Sequence, residues 1–222
     1  FLIIFSLVIA YPIFWMFIQS LKATPEMYSN VWGMPEGFRW INYQNAWEMA
    51  DIGRYIFNSF LVSISTVLMI LVVASLAAYA FSKMEFWGNR AVYYVFVLSL
   101  MLPVPIIPLY SVVSKLKLMN TYFALILPYT AGGLPMSIFL LRPFFDSIPG
   151  EIEDAARIDG CSSLRTFVQI VLPLSRPGLA TIVIFQFMNA WNEYFQALIF
   201  IRKNALRTIP IGLQGFFPGE LD

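Results

Sequence analysis

Two places along the chain set polar side chains where they could act. The first is the stretch EIEDAARIDGCSSLRTFVQIVLPLSRPG, residues 151–178, which gathers Glu151, Glu153, Asp154 and Asp159 around Ala155 and Ala156 and then passes through Gly160. Carboxylates in a first helical turn favour the positive end of the helix dipole. Small side chains beside them let another backbone come close, so this composition describes a docking surface. The second place is AWNEYF, where Asn192 and Glu193 interrupt a run that is otherwise apolar. Asn192 offers both a hydrogen-bond donor and an acceptor. The chain has no histidine and one cysteine, Cys161, which excludes histidine metal sites, histidine acid–base chemistry, an intrachain disulfide and a CxxC site. No G-x-x-x-x-G-K-[ST] phosphate loop occurs, so the chain itself is not expected to bind ATP.

The elements that hold these residues are apolar. Of 222 residues, 59% are hydrophobic and 12% charged, where a soluble domain is nearer ~25% charged, and mean hydropathy is +0.71. The chain is read as a membrane protein. A net charge of +1 points to neither nucleic acid nor an acidic ligand. A helix crossing a hydrocarbon core of about 30 Å needs roughly 20 apolar residues. Charge-free runs of that size cover residues 1–21, 55–82, 91–114 and 118–141, and a fifth, broken only by Glu193, covers 177–201. They do not alternate as barrel strands would, and backbone in lipid must satisfy itself, so five transmembrane helices are expected. The chain opens inside an apolar run without an initiator Met, and is expected to be part of a longer protein. That run is too long for a signal peptide and lacks a small-residue cleavage site.

Pro103, Pro105 and Pro108 in the third run, and Pro128, Gly132, Gly133 and Pro135 in the fourth, predict kinks or breaks. These serve either packing or a bend beside a solute path. Residues 22–54 carry Tyr28, Trp32, Trp40, Tyr43 and Trp47 with turn formers between them. They are expected to form a compact loop or short helix at the membrane–water boundary, where such aromatics concentrate. Alternating five spans puts six basic residues on the side of Arg142 and Arg157 and eight on the side of Lys22 and Arg202, which does not settle orientation. At bilayer centre a carboxylate costs on the order of 2.5 kcal/mol or more, so Glu193 is a functional candidate by default. A boundary position paired with a neighbour, or a contact bracing a second protein, is the alternative.

Within the polar stretch, Asp146 or Ser147 is expected to cap a helix and Pro149 to occupy its first turn. Ile152, Ala155, Ala156 and Asp159 fall on one face. Gly160 sits where a left-handed residue stops a helix, Ser162 is placed to cap a second, and Pro173 and Pro177 to end it. A lipid-lying helix has a basic polar face, whereas this one is acidic, so a protein partner fits better.

Asp154-Ala155-Ala156, three residues, Gly160, nine residues, Ile170, one residue, Leu172-Pro173 resembles the cytoplasmic loop pattern E-A-A…G…I-x-L-P of bacterial ABC-importer permeases, with Asp in place of the first Glu. The strings SLAAYAFSKMEF, LMLPVPIIPLY, LRPFFDSIPGEIEDAARIDG, WNEYFQALIF and TIPIGLQGFF narrow the resemblance to the maltose-type carbohydrate permeases, G-subunit branch. It runs over nearly the whole chain. It implies an all-α polytopic bundle of the type I importer fold, one permease domain over 1–222. Residues 22–54 and 202–222 would then lie outside and the coupling loop at 146–176 in the cytoplasm, with a sixth span to follow. It further implies two cytoplasmic ATPase subunits carrying ATP and Mg, a second homologous permease, an extracytoplasmic sugar-binding protein and a bacterial or archaeal inner membrane. The coupling residues become Glu151, Asp154, Ala155, Ala156, Asp159, Gly160, Ile170, Leu172 and Pro173, and Asn192 and Glu193 candidates for the sugar path. A permease for a peptide or polyamine is the alternative within the family. An ion-coupled transporter would want paired intramembrane charges, and an integral enzyme more reactive groups than this chain offers.

Overall fold

The computed structural model describes residues 1–49 and 51–216, and the regular elements among them are helical. The end of the segment expected outside, residues 217–222, lies outside the described residues. The chain forms two compact units, Phe1–Gly53 and Arg54–Asp222.

The first unit is built on α1 (Leu2–Ser20). Its Ile3, Phe5, Leu7, Ile9, Ile13 and Phe14 are all exposed. A helix apolar around its whole girth belongs in lipid or in a protein core. Beyond α1 the chain folds on Lys22, which is 1% exposed and whose Nζ donates to the Asn30 carbonyl at 2.6 Å. Asn42 Nδ2 donates to the carbonyls of Ser20 and Lys22 at 2.9 and 3.0 Å. Pro25 opens α2 (Thr24–Ser29), and α3 (Ile41–Met49) follows, so the expected compact loop carries two short helices.

The second unit begins within α4 (Ile52–Lys83). It continues through α5 (Asn89–Ser99), α6 (Ile106–Lys115), α7 (Phe123–Asp146), α8 (Gly150–Ile158), α9 (Ser163–Thr166), a π-helical turn at Phe167–Val171, α10 (Leu172–Leu174), α11 (Arg176–Asn192), α12 (Phe195–Phe200) and α13 (Ile209–Gly212). Among the described residues, α4 and α7 are long and apolar enough to cross a bilayer by themselves, and Ser163–Leu174 with Arg176–Asn192 meets the same requirement only when the bent pair is counted together. Helices Phe5–Ser20 and Ile106–Lys115 are apolar but shorter.

The apolar runs map onto helices, and the break expected at the prolines of run 91–114 is present. Run 91–114 is not continuous: α5 and α6 are separated by residues 100–105, where Pro103 and Pro105 remove N–H donors and restrict the residues before them. Run 118–141 forms one continuous helix, α7, with Pro128, Pro135 and Pro143 inside it. The fifth run is α11, a break at 193–194, and α12.

Close approach explains how α7 sits among its neighbours. A Cβ on Gly133 would lie 2.5 Å from Ile70 Cδ1 and 2.8 Å from Gln186 Oε1, so the absent side chain makes room for the ends of Ile70 and Gln186 where α4, α7 and α11 meet. The packing resolves into two apolar clusters. Ile70, Ala78, Tyr79, Leu141, Phe145, Phe167 and Ile182 belong to one. Val62, Val113, Leu125, Phe200 and Ile211 belong to the other. The second is stitched by side chain–backbone bonds. Asn58 Nδ2 donates to the Ala205 and Arg207 carbonyls at 3.0 and 2.9 Å, and Asn120 Oδ1 accepts from the Arg202 and Lys203 amides. Asn120 holds a φ of +59°, a left-handed conformation asparagine tolerates.

Candidate functional site

The acidic stretch is α8, a turn, and then α9 running into the π-turn. The N-cap of α8 is Pro149 rather than Asp146 or Ser147. Those two belong to the end of α7, where Asp146 accepts from Ser82 Oγ and pairs with Arg142 at 3.5 Å. Gly160 takes the expected left-handed φ of +79°. Ser162 Oγ accepts from the Arg165 amide, the expected cap. Pro173 and Pro177 do not end a helix but sit in the first turns of α10 and α11. The π-turn directly precedes Pro173, whose missing N–H leaves a carbonyl for the ladder to rearrange around. The chain then bends by 77° into α11.

Burial divides α8 differently from its sequence pattern. Glu151, Asp154, Ala155, Asp159 and Gly160 are exposed, but Ala156 is 5% exposed and packs into its own chain. Ala156 is therefore an anchor of α8 and not part of an outward face, a correction to its expected docking role. Ile170, Leu172 and Pro173 are half-buried. Beside the acidic face stand exposed Ile158 and Leu164.

The inward face of α8 carries a residue the pattern did not single out for coupling. Glu153 is 7% exposed. Its Oε1 lies 3.2 Å from Lys83 Nζ, and Oε2 accepts from the Tyr79 hydroxyl at 2.9 Å. Lys83 Nζ also donates to the Ile148 carbonyl at 2.7 Å. Tyr79 stacks within 4.9 Å of the Phe167 ring and meets Phe145 edge-on at 6.3 Å. A buried carboxylate persists only when so compensated.

Of the other two candidates, Glu193 borders a cavity of about 210 Å³ in the second unit. Thr66 of α4, Tyr129 and Gly132 of α7, Gln186 and Asn189 of α11, and Glu193 and Gln196 line it. Glu193 is half-buried, and its Oε1 accepts from the Gln196 amide at 2.7 Å, so it also holds the break between α11 and α12. Asn192 is exposed, outside this lining, with Nδ2 donating to the Met188 carbonyl at 2.8 Å. Trp191 packs on Phe60 and Phe187. On one wall Gln186 Nε2 donates to the Gly133 carbonyl at 3.1 Å and to Ser137 Oγ at 2.9 Å. Other polar atoms of the lining residues have no such partner. Thr66 Oγ1, the Tyr129 hydroxyl and Gln196 Oε1 are buried without a protein partner. Leaving such a group unmet costs about 1–3 kcal/mol, so the cavity suits a solute or water with hydroxyl groups. Gln186, Asn189 and Glu193, spaced i, i+3, i+7 in an apolar helix, are the signal that would have found this stripe. Among the described residues no cluster of His, Cys, Asp and Glu could hold a metal ion.

Residues 70–218 match the family described as binding-protein-dependent transport system inner membrane component. The diacetylchitobiose uptake system permease protein NgcG of Streptomyces coelicolor is 38% identical over 87% of this chain and 65% of its own. The probable ABC transporter permease protein YurM of Bacillus subtilis is 39% identical over 97% of this chain and 72% of its own. This chain thus spans just under two thirds of the first relative's length. A solved bacterial ABC transporter involved in importing the acidic polysaccharide alginate superimposes with a TM-score of 0.86 at 26% identity, covering 96% of this chain and 75% of that one.

Proposed function

The chain belongs to the binding-protein-dependent transport system inner membrane components, and from that premise we propose that it is a permease subunit of an ATP-driven importer of oligosaccharides. Its partners are two cytoplasmic ATPase subunits, a second homologous permease and an extracytoplasmic sugar-binding protein, in a bacterial or archaeal inner membrane; nucleic acid is not among them. ATP and Mg are bound by the ATPase and no cofactor by this chain. The chain contributes no catalytic residue. Five crossings are made by α1, α4, the broken pair α5–α6, α7 and α11, with residues 22–54 outside and 146–176 in the cytoplasm.

The observation that carries this proposal is the division of α8 into an outward acidic face and an inward anchored one. Glu151, Asp154, Ala155 and Asp159 face out beside Ile158, and Gly160 turns the chain toward exposed Leu164. An acidic rim with an apolar centre suits a protein groove better than a lipid surface. Ile170, Leu172 and Pro173 brace the return of the loop to α11. Closure of the ATPase around ATP moves the docked helix, and the spanning helices change between inward- and outward-open packings biased by that distant ligand. The sugar path runs along the polar stripe of α11 past Glu193, where Tyr129 and Thr66 offer hydroxyls to the solute, and exposed Asn192 shares a neighbouring depression with Asn189 and Glu193. The sugar class rests on the diacetylchitobiose relative and the alginate importer and on the polar lining of the cavity, where hydroxyl and amide side chains stand beside one carboxylate, Glu193.

Transport by the reconstituted complex tests this. Uptake of diacetylchitobiose or another oligosaccharide from a panel, dependent on ATP and the binding protein, is expected. Uptake of peptides or polyamines with no sugar transported overturns the sugar assignment.

A further inference from the structure

We infer that Tyr79, Lys83 and Glu153 form the joint through which movement of α8 is transferred to the spanning helix α4; this rests on the docking of α8 proposed above. Of the carboxylates of α8, Glu151 and Asp154 are exposed and Glu153 is buried. Buried Glu153 binds two side chains one turn apart on α4, Lys83 at 3.2 Å and Tyr79 at 2.9 Å. The other arm of the loop reaches the same place: Phe167, beyond the Gly160 turn, lies 4.9 Å from the Tyr79 ring. Tyr79 is thus held by both arms, through its hydroxyl by one and its ring by the other.

From this joint α4 runs unbroken to the cavity. Thr66, in the cavity lining, precedes Tyr79 on the same helix. The separation is about 20 Å along the axis. No proline or glycine lies between them, so the segment has no built-in hinge. A displacement applied at Tyr79 and Lys83 therefore arrives at the cavity wall. An apolar contact would hold α8 as firmly but permit sliding. A buried ion pair with a hydrogen bond has one geometry, and conformational specificity is its best-supported use. Tyr79, Lys83 and Glu153 are positioning residues: they touch neither the solute nor the nucleotide.

The test uses the complete complex with its ATPase subunits, in a Cys161→Ser background carrying Gly132→Cys as a reporter. Gly132 lines the cavity, and a Cβ there meets nothing within 4 Å. Maleimide labelling is measured with and without ATP and Mg, and ATPase retention on the purified complex is measured in parallel. The parent is expected to change its labelling rate with nucleotide. Tyr79→Phe and Glu153→Gln are expected to keep the ATPase bound but shrink that nucleotide-dependent change by about two- to thirtyfold, the range seen for mutations along coupled networks. Lys83→Met with Glu153→Leu is expected to be as stable as the parent and still uncoupled, which a merely structural role would not produce. Parental nucleotide response in Tyr79→Phe or in the apolar double variant, with ATPase bound, overturns the joint. A parent complex that retains no ATPase overturns the docking of α8 and the joint with it.

Discussion

The two polar regions of the second unit are built on opposite terms. Around Glu153 one carboxylate oxygen accepts from the Tyr79 hydroxyl, while the other accepts no hydrogen bond but is paired in charge with Lys83 at 3.2 Å, and both partners come from a different helix. Around the cavity, Tyr129, Thr66 and Gln196 each present a buried polar atom with no partner in the chain. A buried group tied by an ion pair and a hydrogen bond favours one arrangement. An unsatisfied one leaves free energy to be recovered by whatever enters. On the proposed function a transporter needs both, a stiff element to carry motion and a wet element to hold cargo, and α4 carries residues of each, Tyr79 and Lys83 at one and Thr66 at the other.

Substitutions at four positions would break or sharpen that contrast. The largest effect is expected from Ala156→Arg. Because Ala156 is buried against its own chain, the guanidinium would be trapped unpaired at a cost of several kcal/mol, on the order of 3–5. Folded protein recovered from membranes should fall sharply; normal expression with a selective loss of ATP hydrolysis would return Ala156 to the partner surface. Next is Gly160→Val, which forces a β-branched residue into a left-handed conformation at about 1–2 kcal/mol. Insertion should survive while ATPase co-purification drops, and an unchanged pull-down would mean the turn does not position the docking helices.

Glu193→Leu and Glu193→Gln separate the two roles of that carboxylate. Gln preserves an acceptor for the Gln196 amide, so the break before α12 should persist, with transport lowered or specificity altered. Leu removes acceptor and polar step together and should reduce uptake further. Parental rate and affinity in both variants would remove Glu193 from the path. The smallest effect on stability is expected from Tyr129→Phe. Its hydroxyl has no partner to lose, so thermal stability should stay within about 0.5 kcal/mol. The KM for the transported sugar should nonetheless rise, by about two- to tenfold for one hydrogen bond. A stability loss with unchanged KM would mean the hydroxyl serves the fold.

Some of this was written locally in the chain. Apolar runs announced spanning helices because backbone in lipid has no other way to satisfy itself. Gly160 announced its turn because φ of +79° favours glycine, and the spacing from Asp154 through Pro173 carried the family. What periodicity cannot tell is which side of a helix its own chain covers. Ala155 and Ala156 look alike in sequence, yet one is exposed and the other buried. Likewise Glu153 resembles its acidic neighbours until Tyr79, 74 residues away, closes on it. Prolines were ambiguous for the same reason: those in run 91–114 broke the helix, and those in α7 were absorbed, because neighbouring helices decide whether freed carbonyls are tolerated. Helix formation in this chain is set by local composition. The cavity, the inward carboxylate and the joint are set by contacts between residues distant in sequence, and only the tertiary packing brings those together.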